Sequence, residues 1–141
     1  MRPDPILKVV LDTCVLKLAT FTRPDNPAGL AVELGLRRLV EWWVSPAILE
    51  EYADVLADEP EFLVEISESV ELCYPLTRLR VIRHEPDNRF IECALAVKAD
   101  YLVTVNTARG HFDRKSYDPV EVVTPGVFAN LDEVQPLIRR L

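Results

Sequence analysis

The chain alternates short, almost wholly aliphatic runs with stretches of helical periodicity. Ile6 to Leu11 is apolar except for Lys8 and stops at Asp12-Thr13. A run of that kind predicts a strand buried on both faces of a parallel sheet. Val15 to Phe21 continues apolar, and Thr22-Arg23-Pro24-Asp25-Asn26-Pro27 breaks it. Leu30, Leu34, Leu36, Leu39 and Val40 form a helical stripe, with Glu33, Arg37 and Arg38 largely elsewhere on the wheel. Trp42-Trp43-Val44 is the second predicted strand. Ser45-Pro46 is a helix start, Ser as cap and Pro at the first helical position. Ile48, Leu49, Tyr52, Val55 and Leu56 follow at helical spacing. Pro60 opens a further helix with Leu63, Ile66 and Val70 on one face, and Pro75 ends it. Leu79 to Ile82 is the third predicted strand. Asp87-Asn88 caps a helix carrying Phe90, Ile91, Ala94, Leu95 and Val97. Tyr101 to Val105 is the fourth strand, ending at Asn106, and Val120 to Val123 is the fifth. Thr124-Pro125 starts a last helix with Phe128, Leu131 and Val134, which Pro136 should kink or end.

The predicted order is β-α-β-α-α-β-α-β-β-α, which implies a mainly parallel sheet of four or five strands covered by helices on both faces, an α/β/α sandwich. Ligands of such sheets bind at the carboxyl ends of strands, where the strand order reverses. At 141 residues the chain is expected to form one domain, residues 1–141. No apolar run approaches the roughly 20 residues needed to cross a bilayer. The start, Met1-Arg2-Pro3-Asp4-Pro5, does not read as a signal peptide, so cytoplasmic residence is expected. Three widely spaced cysteines, Cys14, Cys73 and Cys93, form no C-x-x-C pair and read as small buried apolar residues. The net charge of −7 argues against broad electrostatic capture of nucleic acid, but suits a partner with basic segments.

Three acids stand at predicted element boundaries in different parts of the chain: Asp12 after strand one, Glu51 near a helix start, and Asp87 before another helix. Carboxylates gathered from distant segments repel one another and call for a compensating cation. Each also has a plainer reading. Asp12 and Asp87 could be caps, Glu51 part of a solvated acidic face with Glu50 and Asp54, and Asn106 a turn residue. Glu92, five residues after Asp87, points to another side of its helix and is expected to be a flank contact. The chain has no G-x-x-x-x-G-K-[ST], G-x-G-x-x-G or G-x-S-x-G motif. His84 and His111 lack zinc-hydrolase spacing. Trp42-Trp43 is expected in the core rather than as a base-stacking platform.

With Asp12, Glu51, Asp87 and Asn106 in order, the chain resembles a PIN domain, the nuclease fold shared by VapC-type toxins of toxin–antitoxin pairs. The resemblance rests on Val9-Val10-Leu11-Asp12-Thr13, on Ser45 to Leu56 with Glu51 favoured over Glu50, and on Pro86 to Ala96 followed by Ala99 to Thr104. These last blocks, and the ending Val122 to Phe128, are similar to a bacterial and archaeal subgroup of toxin-like PIN domains. Two positions depart from the common pattern. Cys14 stands where many PIN domains carry Asn, and Val105-Asn106 where they carry Gly-Asp. The subgroup frequently has Asn there, followed by a His-Phe like His111-Phe112.

The resemblance implies a metal-dependent endoribonuclease, the toxin of a type II pair. Asp12, Glu51 and Asp87 would hold Mg²⁺ or Mn²⁺, and Asn106 would position water or phosphate. Implied partners are an RNA substrate, an antitoxin protein and a second copy in a homodimer; no membrane is implied. The uncharged Asn106 motivates the alternative of a catalytically silent PIN domain acting as a scaffold that binds protein or RNA. A phosphotransfer domain with Asp12 as nucleophile is a weaker third reading, because Cys14 supplies no acid and no strand-end Lys is evident.

Overall fold

In the computed structural model, residues 5–21, 26–82, 85–107 and 110–141 are described. Six strands form one sheet in the order β3-β2-β1-β4-β6-β5. They are β1 (Lys8–Leu11), β2 (Glu41–Val44), β3 (Glu71–Leu72), β4 (Tyr101–Val103), β5 (Ser116–Tyr117) and β6 (Val120–Val123). All neighbours run parallel except β5 and β6. The helices are α1 (Thr13–Phe21), α2 (Pro27–Leu36), α3 (Pro46–Val55), α4 (Pro60–Ser69), α5 (Asn88–Val97), α6 (Pro125–Ala129) and α7 (Gln135–Ile138), and a 3₁₀ turn covers Glu85–Asp87. The fold is the expected α/β class, a mostly parallel central sheet flanked by helices, with six strands rather than four or five.

Val9, Val10, Leu11, Leu102 and Val103 are fully buried, which is why β1 and β4 read as unbroken aliphatic runs. Trp42 is likewise buried, as expected, and its indole stacks at an angle on Tyr52 with centroids 6.0 Å apart. Trp43 lies half-buried, its Nε1 donating to Glu41 at 3.0 Å. Three helices begin with a polar cap followed by proline. Asn26 accepts from the Ala28 amide, Ser45 from Ile48 and Thr124 from Val127.

Several expectations need correction. Leu79 to Ile82 is not a strand; the third strand is the two-residue β3, paired with β2 just after α4. The amides of Leu79, Val81 and Ile82 are taken instead by side chains, Glu92 Oε2 for the first and Asn88 Oδ1 for the others. The predicted strand at Tyr101 to Val105 stops at Val103, and the α4 helix stops at Ser69. The stripe from Leu30 to Val40 is helical only to Leu36, because Arg38 adopts a left-handed φ of 58° and turns the chain into β2. The last helix is two, and Pro136 lies in the first turn of α7 rather than ending a helix. The predicted break at residues 22–27 lies mostly outside the described residues.

Sheet order decides where a ligand can bind. From β1 the chain passes to β2 on one side, and from β4 it passes to β5 and β6 on the other, so the connections diverge at the carboxyl ends of the neighbouring strands β1 and β4. Asp12 follows β1 there, and Thr104 and Asn106 follow β4.

Candidate active site at the β1–β4 switch point

The end of β1 is pinned from both sides. The Asp12 amide continues the pairing with β4 by donating to the Val103 carbonyl at 3.0 Å, and the Asp12 carbonyl accepts from Val15 at 2.9 Å to begin α1. Tyr52 of α3 reaches across and donates its hydroxyl to the Leu11 carbonyl, while Trp42 Nε1 donates to that hydroxyl at 3.3 Å.

Asp12 is buried at 3% exposure, yet it is not a simple cap. Its Oδ2 accepts from Thr104 Oγ1 at 2.7 Å and Cys14 Sγ at 3.2 Å, and Asn106 Nδ2 stands at 3.5 Å. Burial pushes its pKa up from the usual carboxylate range, and the charge of Asp87 pushes the same way. The Thr104 and Cys14 hydrogen bonds pull it down. Burial, aided by the Asp12 charge, raises the Cys14 thiol to about 12, so it remains a protonated donor to Asp12. Asn106 presents its amide N–H toward Asp12 and donates its backbone N–H to Thr104 Oγ1 at 2.9 Å.

Asp87 closes the 3₁₀ turn in front of α5. It occupies the cap position with αR dihedrals, and its side chain makes no capping bond. The buried carboxylate instead meets His111, with Nδ1 to Oδ2 at 2.8 Å. Two neighbours set this geometry. Asn88, fully buried, accepts from Val81 and Ile82 at 3.0 and 2.8 Å and donates to the Ile82 carbonyl at 2.9 Å, clipping the loop that leads to Asp87. Phe112 is buried edge-on against Phe90 of α5 at 6.4 Å and donates its amide to the Asn106 carbonyl at 3.0 Å, which sets the adjacent His111 over Asp87.

Glu51 lies on α3 and accepts a hydrogen bond from Thr13 Oγ1. It is half-buried, whereas Glu50 is exposed. Both line a cleft of about 260 Å³ together with Asp54, Arg89 and Pro86, the residue before Asp87. Glu92 is a flank contact, as expected. Its Oε2 accepts the Leu79 amide at 2.7 Å and pairs with Arg89 at 3.1 Å.

The fold thus gathers Asp12, Asn106 and Thr104 directly, couples Asp87 to Asp12 through charge, and places Glu51 beside Thr13, next in sequence to Asp12. Among the described residues, no three His, Cys, Asp or Glu side chains converge into a group that could hold a metal ion. Two repelling buried carboxylates with hard oxygen donors do fit a cation of the Mg²⁺ type, which is held by one or two carboxylates with water completing its shell.

Sequence reasoning did not single out Thr13, Thr104 or Cys14 as carboxylate partners, nor His111 as the partner of Asp87. The available signal was position: Thr13 and Cys14 flank the strand-end acid, and Thr104 sits two residues before Asn106.

Among the described residues no helix is long and apolar enough to cross a membrane. No curated protein matches the chain. A family model described as PIN domain matches residues 8–108, a span that contains Asp12, Glu51, Asp87 and Asn106. PIN domains are commonly nucleases that use divalent metals and take nucleic acid as substrate, and by this match the chain belongs to the PIN domain family.

Proposed function

We propose that this protein is a Mg²⁺- or Mn²⁺-dependent endoribonuclease, formed by residues 1–141 as one domain. The observation that carries the reading is the pair Asp12 and Asp87: both are buried, and the charge of Asp87 makes ionisation of Asp12 harder. A cation between phosphate and protein would relieve that repulsion, screen the phosphate and acidify water. Asp12 and Asp87 would hold it, with Glu51 as a third ligand from the α3 cleft. Thr104 and Cys14 keep Asp12 oriented, and Asn106 presents N–H groups toward a phosphate oxygen or water. The resemblance to VapC-type toxins supports RNA as substrate and the role of toxin in a type II pair. The net charge of −7 suits an antitoxin with a basic end. We take the working form to be a cytoplasmic homodimer.

The test is Mn²⁺-dependent cleavage of a labelled single-stranded RNA by the purified protein beside its Asp12→Asn variant. Cleavage by the parent and background cleavage by the variant are expected; equal cleavage by both would remove Asp12 from the site.

One observation favours a second reading, a catalytically silent PIN scaffold. Glu51 is engaged by Thr13, and among the described residues no three-ligand group is assembled. Calorimetric titration separates the two readings, because a scaffold has no need to bind Mn²⁺.

A further inference from the structure

Two of the three cysteines meet inside the protein. Cys73 follows β3 and is held to the sheet edge by its amide, which donates to the Val44 carbonyl at 2.8 Å. Cys93 lies on the fully buried face of α5. The residues are 20 apart in sequence, and their sulfurs are 3.0 Å apart with both thiols free. We propose that Cys73 and Cys93 form a redox modification site that closes to a disulfide when the protein meets hydrogen peroxide.

The surroundings support it. A cavity of about 460 Å³ is lined by Tyr74 and Glu92, the sequence neighbours of the two cysteines. Cys73 is the more accessible thiol, at 8% exposure against 0% for Cys93. The contact between the two sulfurs lowers the Cys73 pKa and raises that of Cys93. Cys73 is therefore the attacking sulfur, since the thiolate is the nucleophile. It attacks one peroxide oxygen, the O–O bond breaks, and a sulfenic acid and one water result. The Cys93 sulfur then attacks the Cys73 sulfur, its proton leaves with the departing oxygen as a second water, and the S–S bond forms. Two thiols and one peroxide give one disulfide and two waters. Cys14 stays outside this chemistry because it remains a thiol bonded to Asp12.

The bond would join the segment after β3 to α5. The two are already linked by the Leu79 amide on Glu92 and by Arg89 on the Leu79 carbonyl. The inference does not depend on the nuclease reading, and its test does not measure cleavage.

The reduced full-length protein is treated with hydrogen peroxide, its remaining thiols are blocked, and intact mass and peptide maps are read. Expected are a mass loss of about 2 Da, one remaining thiol at Cys14, a Cys73–Cys93 cross-linked peptide reversed by dithiothreitol, and a melting point raised by roughly 5–10 °C. Oxygen addition without cross-linking overturns the proposal. So does a cross-link through Cys14, or thiols that react only after denaturation. In a Cys73→Ser variant with a native circular dichroism spectrum, Cys93 should survive peroxide as a thiol. Its oxidation at the parent's rate would show that Cys73 is not the entry point.

Discussion

Asp12 shows at the scale of one residue how far position alone carries. An acid closing an aliphatic strand was legible as a candidate, and the fold places it at the switch point of the sheet. Its hydrogen-bond partners were not legible, because Thr104 and Asn106 reach it from more than 90 positions away. The capping alternative for Asp87 fails for a similar reason: its side chain turns to His111, which no local pattern connects to it. Because the Asp12 pKa is raised above 3.8, the folded metal-free protein holds that proton more tightly than the unfolded chain does. The stability linked to it is full below the unfolded value and is lost as pH rises through the folded one. Asp12→Asn should therefore gain on the parent in melting point as pH rises to neutral without metal. Melting curves of both proteins in chelator across the acid range would check this; a parent that gains on the variant instead would refute it.

At the scale of elements, caps and prolines announced α3, α4 and α6, since their chemistry is local, whereas α2 was legible from its apolar stripe and its Asn26-Pro27 start read as a break. β3 was hidden because two residues carry no period, and Leu79 to Ile82 mimicked a strand because its bonding partners lie on α5. Two substitutions test how elements are seated. A Cβ at Gly35 would stand 2.7 Å from Trp42 Cε3, an atom of a fully buried ring that cannot swing aside. Gly35→Ala should cost about 1–3 kcal/mol by overpacking, read from urea unfolding. Lys98 ends α5 with φ 53° and ψ 52°, a left-handed conformation that glycine adopts without Cβ strain. Lys98→Gly should stabilise the protein by about 0.5–1 kcal/mol in the same assay.

For the whole molecule, the three-layer α/β architecture was readable because alternating strands and helices leave few alternatives, and the family match supports it. A cation bound by the folded state and not by the unfolded chain raises stability by mass action. Mn²⁺ at about 100 times its dissociation constant should add about 2.7 kcal/mol to the parent and much less to Asp12→Asn, a difference that a thermal-shift titration resolves. The sheet itself carries a further consequence. Its outermost strands, β3 and β5, are two residues each. Long bare margins are what let one chain hydrogen-bond onto another and seed cross-β stacking, and margins this short give such growth little template. Copies of this protein should therefore meet through side chains on their helices, and the native state should resist fibril formation.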